Sequence, residues 1–175
     1  MPISPVNWLT DEAYLAAPLG ERTLAWADYF ATLKVREIGV NRGYWVERFL
    51  KAVGLGPGYA WCAAFLSFCL LKAGRPDFGP KKGRAAVRNW KRWAAQNNLL
   101  IGKYKVARGD IGGWLNSNQT GHIFLIRSVE RGDHLTRVGT LEGNTNDAGS
   151  REGDGVYKRE RLVRDDFFFI RVGEG

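Results

Sequence analysis

Two residue types in this chain are scarce and chemically reactive: the cysteines Cys62 and Cys69, and the histidines His122 and His134. A thiol becomes a nucleophile when something stabilises its thiolate, either the positive end of a helix dipole or a nearby imidazole. Cys62 lies in GYAWCAAF (58–65), directly after the turn cluster GLGPG (54–58), and is expected about two residues into a helix. Cys69, inside FLSFCLL, falls mid-helix and reads as core. Taken alone, GYAWCAAF also suits a buried structural cysteine. On one helix the two sulfurs would sit about two turns, roughly 10 Å, apart. A disulfide needs Cα atoms within about 7 Å, so two free thiols are expected.

A nucleophilic thiol needs a base. His122 opens the apolar run HIFLI, which fixes it on rigid structure. His134 falls in the polar turn RGDHLTR at the far end of the same hairpin. An arm of about ten residues separates the two imidazoles by roughly 25–30 Å, so only one can meet Cys62, and His122 is the better placed. A working imidazole also needs a third group to fix its tautomer. Glu142 and Asn144 lie on the strand that returns past His122, two residues apart and so on one face. Singly, Glu142 suits a solvated charge and Asn144 a turn; with Cys62 and His122 they favour nucleophilic catalysis over structure. Two Cys and two His at these spacings form no metal signature, and no cofactor is expected.

These residues must be held by elements. Helices are expected over 24–36, 44–53, 60–72 and 84–97. The second carries Val46, Phe49, Leu50 and Val53 at helical spacing. The third is apolar nearly all round, as a buried helix is, with Gly74 just past its end as a C-cap. After Asn98 the pattern changes to strands at 110–115, 122–129, 135–144, 156–162 and 167–172, with a turn at 130–133. Helices first and strands later predict an α+β fold, with N-terminal helices packed on an antiparallel sheet of about five strands. The length predicts one domain, 1–175.

The hairpin register decides whether Glu142 can face His122, because a one-residue slip turns a side chain to the other face. A four-residue loop, 130–133, would set His122 against Leu141 and turn Glu142 away. A five-residue loop, 130–134, pairs His122 with Glu142 and Val129 with Leu135; a bulge would serve equally. The five-residue loop is the preferred expectation. It puts Phe124, Ile126, Val138 and Thr140 on the catalytic face, against the helix bearing Cys62.

Composition sets the outer limits. A hydrophobic fraction of 45% and an aromatic fraction of 13% argue for a packed domain rather than disorder. No segment approaches the ~18 apolar residues of a membrane span. MPISPVNWLTDEAYL lacks the basic start and apolar run of a secretory signal, so no Sec-type export is expected. The net charge is +8, and it is concentrated. Ten basic residues and a single acid, Asp77, fall between Lys72 and Lys105, a net of +9 against −1 for the remainder. Such a window suits either a solvated helix face or an anionic partner.

GYAWCAAFLSFCLLKAG, GDI, GHIFLI and LEGNTN together resemble the CHAP family, the cysteine- and histidine-dependent amidohydrolases and peptidases. The family is papain-like, is related to the NlpC-type peptidases, and includes many enzymes that cleave bacterial peptidoglycan. The likeness covers about residues 37–161, from REIGVNRG before the thiol to GSREGDGVYKR after the E-x-N motif. It implies Cys62 as nucleophile, His122 as base, and Glu142 and Asn144 as the rest of a tetrad. It departs from the family pattern at GDIGGW, where Gly112-Gly113 is expected to loosen the strand, and at LNSNQTGH, which is longer and more polar than a tight glycine loop.

The resemblance implies a peptidoglycan hydrolase, either an N-acetylmuramoyl-L-alanine amidase or a stem or cross-bridge endopeptidase, serving as a lysin or an antibacterial effector. The implied partners are the peptidoglycan peptide, an anionic wall polymer at the basic window and, for an effector, an immunity protein. Nucleic acid is not expected. The place of action would be the cell wall or periplasm, reached by holin lysis or a secretion system. The alternative is a papain-like acyl or peptidyl transferase, or a non-hydrolytic wall-binding module.

Overall fold

The apolar periodicity of the first hundred residues becomes helix in a computed structural model, which describes residues 12–132, 136–145 and 153–173. The helices are α1 (Glu12–Ala16), α2 (Leu19–Thr32), α3 (Tyr44–Ala52), α4 (Cys62–Lys72) and α5 (Val87–Gln96). Helix α2 begins earlier than expected, straight after Pro18, whose fixed φ suits a helix entrance, and stops before Lys34, which adopts φ +52°. Helix α4 buries nine consecutive residues, Cys62 to Leu70. It ends as foreseen: Gly74 takes φ +86°, and the Arg75 N–H donates back to the Leu70 carbonyl at 2.9 Å. Helix α5 starts three residues late because the Arg84 guanidinium donates to the Phe78 and Pro80 carbonyls and holds that segment as a loop.

Six strands form one antiparallel sheet in the order β1-β6-β2-β3-β4-β5. They are β1 (Leu100–Ile101), β2 (Ile111–Leu115), β3 (Gly121–Arg131), β4 (Thr136–Thr145), β5 (Gly155–Leu162) and β6 (Phe168–Ile170). The α+β expectation holds. Strand β1 was not foreseen, since two residues carry no readable alternation.

The β3–β4 register differs from the preferred expectation. Near the turn, Val129 pairs with Val138 and Arg131 with Thr136. Arg127 is an extra residue, and beyond this bulge Ile126 pairs with Thr140 and Leu125 with Leu141. The bulge, not a five-residue loop, supplies the one-residue shift that turns His122 and Glu142 to the same face. His134, Leu135 and the Val129–Leu135 pairing lie outside the described residues.

The sheet separates two apolar clusters. The larger joins α2, α3 and α4 to Ile123, Leu125, Leu141 and Val156, with Phe30, Phe49, Phe65 and Phe68 in mutual ring contact at its centre. The smaller gathers Val106, Trp114, Phe124, Ile126, Val138 and Phe169 on the other face. Helix α4 therefore does not pack against Phe124, Ile126 and Val138, as expected, but against the alternate residues. Gly143 marks the contact: a Cβ there would stand 2.7 Å from the Phe65 side chain. Nor do Gly112 and Gly113 loosen β2. Added Cβ atoms would meet Phe124 at 2.5 Å and the His122 carbonyl at 2.6 Å, so these glycines permit close packing of strand and ring.

Candidate active site

Cys62 is the first residue of α4, with Trp61 at the N-cap, so its thiol lies at the positive end of the helix. The Trp61 carbonyl accepts from the Phe65 N–H at 2.8 Å, closing the first helical turn. Trp61 has no capping side-chain bond, and among the described residues no acceptor takes the N–H groups of Cys62, Ala63 and Ala64. The approach to the helix is braced from behind. Trp61 is fully buried, and its indole N–H donates to Glu37 Oε1 at 2.7 Å. Glu37 Oε2 accepts from the Asn41 N–H at 2.8 Å, and the Asn41 carbonyl accepts from the Gly58 N–H at 3.0 Å. The loop after α2 is thereby tied to the turn that delivers the thiol.

His122 is fully buried beside Trp114, its partner across β2–β3, with ring centroids 5.0 Å apart. The hairpin that delivers it, 116–120, is tighter than its polar sequence suggested. The Asn116 N–H donates to the Thr120 carbonyl at 2.7 Å, and Asn118 Oδ1 accepts from the Thr120 N–H and hydroxyl. Nε2 of His122 lies 2.8 Å from Glu142 Oε2. Nδ1 therefore remains for Cys62. Among the described residues, Nδ1 has no hydrogen-bond partner. The Cys62 thiol nevertheless acts on the ring, raising its pKa. Burial alone would lower the pKa of His122; its interactions with Cys62 and Glu142 more than offset this and raise it to about 9. At neutral pH the ring is therefore an imidazolium, donating through Nε2–H to Glu142.

Glu142 is fully buried and accepts four bonds. Besides His122, the Arg161 guanidinium grips it with two 2.6 Å contacts, Nε to Oε1 and Nη2 to Oε2, and the Thr140 hydroxyl donates to Oε1. Burial would raise the pKa of this carboxyl; Arg161 and His122 outweigh that and pull it to about 2. Arg161 was missed in the sequence, and Thr140 was placed on the catalytic face but given no role there. The available signal was alternation: in VYKRERL, residues 157, 159 and 161 share the more buried face, and two of them are arginines. Inward arginines call for a buried acid across the ladder.

Asn144 departs from expectation. It is almost wholly buried, but at φ +57° it is an extra residue between the Gly143–Val156 and Thr145–Gly155 pairs. That breaks the alternation which placed it beside Glu142. Its Oδ1 has no hydrogen-bond partner, and among the described residues it makes no bond to His122. The structure thus brings together Cys62, His122 and Glu142, adds Thr140 and Arg161, and leaves Asn144 outside this network.

Cys69 is free, fully buried, and raised well above the ordinary thiol pKa by burial. No group of three or more His, Cys, Asp or Glu among the described residues is placed to hold a metal ion. No described helix is long and apolar enough to cross a membrane.

The family model for the CHAP domain matches residues 54–144, just over half of the chain. The chain belongs to the CHAP family. The matched span opens at the turn before Cys62 and closes on Asn144. Arg161 and the Glu37 brace both lie beyond it. No curated protein and no solved structure matches the chain. CHAP domains are in general hydrolytic and are associated with peptidoglycan as amidases or peptidases, which places this chain among such enzymes in coarse terms.

Proposed function

We propose that this CHAP domain is a cysteine-dependent hydrolase that cuts an amide bond in peptidoglycan, with Cys62 as nucleophile and His122 as general acid and base. The observation that carries the reading is the buried His122 ring, fixed by Glu142 at 2.8 Å and influenced by the Cys62 thiol at the helix start. In the first step Cys62 Sγ, as thiolate, bonds to the amide carbonyl carbon. The developing oxyanion is taken by N–H groups at the start of α4, including that of Cys62. The C–N bond breaks, and His122 gives its Nδ1 proton to the leaving amine. Water then attacks the thioester, His122 accepts its proton, and the Cys62 thiolate is released with a free carboxylic acid, restoring the starting state. Glu142 holds the ring and supports its charge; Arg161 and Thr140 hold Glu142.

The place of action in this reading is the cell wall, as a lysin or as an effector delivered against neighbouring bacteria. The deciding experiment is turbidity loss of purified walls, followed by mass spectrometry of the fragments. The wild type is expected to clear walls and release either a new amine on the stem peptide or a peptide-free glycan. Cys62→Ala and His122→Ala are expected to do neither while remaining folded. Clearing by folded Cys62→Ala would end the proposal.

A further inference from the structure

Two grooves lie side by side along α5, away from the thiol. The larger, about 940 Å³, has Phe78 and Trp93 in its wall, in edge contact at 4.9 Å, with Lys81, Lys82, Arg92 and Gln96 around them. The smaller, about 520 Å³, runs between Arg88, Lys91 and Arg92 of α5 and the 115–119 turn of the β2–β3 hairpin. Arg92 lines both, so the two form one path. Its inner end is the turn that leads into Gly121 and His122.

The charge on this path is uncompensated. Several lysines and arginines elsewhere are paired: Lys103 with Asp165, Arg108 with Glu21, Arg127 with Glu160, Lys158 with Asp28 and Arg164 with Asp166. Among the described residues, no ion pair reaches Lys81, Lys82, Arg88, Lys91 or Arg92. Asp77, the single acid in the lining, is bonded to Arg75 through both oxygens. On α5 itself Arg88 stands at i−3 and i−4 from Lys91 and Arg92, spacings at which like charges repel. The helix thus carries repulsion that an anionic ligand would relieve. Its ten residues extend about 15 Å, enough to hold an extended segment of four or five peptide units.

We propose that this path is a binding site for the wall strand being cut, holding the carboxylates of its stem peptides on Arg88, Lys91 and Arg92 while an adjacent bond lies at Cys62. The inference rests on the peptidoglycan reading above. Continuity with the hairpin carrying His122 favours the substrate strand over a separate wall polymer. The aromatic and amide lining of the outer groove suits sugar rings and hydroxyls.

The test reads retention rather than turnover, so it is separate from the test of hydrolysis. All proteins carry Cys62→Ala to keep the walls intact, and folding is checked by circular dichroism and thermal melting. Cosedimentation is measured with peptidoglycan stripped of covalently attached phosphate polymers. Arg88→Gln/Arg92→Gln is expected to weaken retention by about tenfold and to flatten its salt dependence. The matched pair Lys34→Gln/Lys51→Gln, which removes the same charge from exposed positions elsewhere, is expected to change it less than twofold. Equal loss in both pairs would reduce the effect to net charge and overturn the site. So would retention by Arg88→Gln/Arg92→Gln at the wild-type level. Binding only to unstripped walls would make the ligand a phosphate polymer, and displacement from stripped walls by duplex DNA at equal charge concentration would make it nucleic acid; either result overturns the assignment.

Discussion

Glu142 is a carboxylate held with no exposure to solvent. A buried carboxylate is costly unless its lone pairs are all used, and here four donors use them. Arg161 supplies two of the four as a planar fork, a geometry that lysine cannot reproduce. Arg161→Met would leave the buried acid with only His122 and Thr140 as donors, and a loss of about 3–5 kcal/mol in unfolding free energy is expected. Arg161→Lys should recover part of that stability but not the wild-type turnover. Urea denaturation with rates on a soluble muropeptide reads both, and an Arg161→Met protein as stable as wild type would show that the fork contributes nothing. The two thiols divide in the opposite sense. Cys69→Ala should cost about 1–2 kcal/mol and keep activity, whereas Cys62→Ala should lose activity and keep the fold. Loss of activity in folded Cys69→Ala together with active Cys62→Ala would reverse the assignment of the nucleophile.

At the scale of elements, the site depends on how closely β2, β3 and β4 approach one another. Gly113 lies opposite Ile123, and a Cβ there would come within 2.6 Å of the His122 carbonyl and 2.7 Å of the Phe168 ring. Gly113→Ala must therefore push β3 outward at His122, costing about 1–3 kcal/mol. The expected kinetic signature is a fall in kcat larger than the rise in KM; unchanged kcat would mean that the strand yields without moving the ring. The same elements mark the boundary of what the sequence could disclose. Cys62 at a helix start was legible because glycines and a proline precede an apolar run, and His122 because it opens a strand. The parity that brings Glu142 to His122 was legible only as a requirement. The bulge at Arg127 that meets it leaves no mark in composition, since a bulge is a matter of pairing rather than residue type. Asn144 was misplaced for the same reason: alternation assumes an unbroken strand. Arg161 was overlooked because its role exists only across the β4–β5 ladder, where it opposes Val138 and reaches back to Glu142.

For the molecule as a whole, these buried charges set the pH range in which the fold is secure. His122 has its pKa raised from 6.5 to about 9 in the folded chain, so the folded state holds a proton that the unfolded state has released between those values. Its contribution is complete below pH 6.5 and lost as pH rises through 9. Glu142 runs the other way. Lowered from 4.5 to about 2, it contributes above pH 4.5 and loses that contribution as pH falls through 2. The two together give a plateau between about pH 4.5 and 6.5, with stability declining on both sides. Cys69 steepens the alkaline limb, because folding keeps it a neutral thiol while the unfolded thiol ionises. Urea unfolding free energies from pH 4 to 10 should therefore begin to fall near pH 6.5. In Cys69→Ala the decline between pH 6.5 and 9 should persist, while the additional fall above pH 9 becomes shallower. A wild-type profile that stays flat from pH 6.5 to 9 would mean that the imidazole is not held protonated, and the reading of His122 as proton donor to the leaving amine would lose its basis.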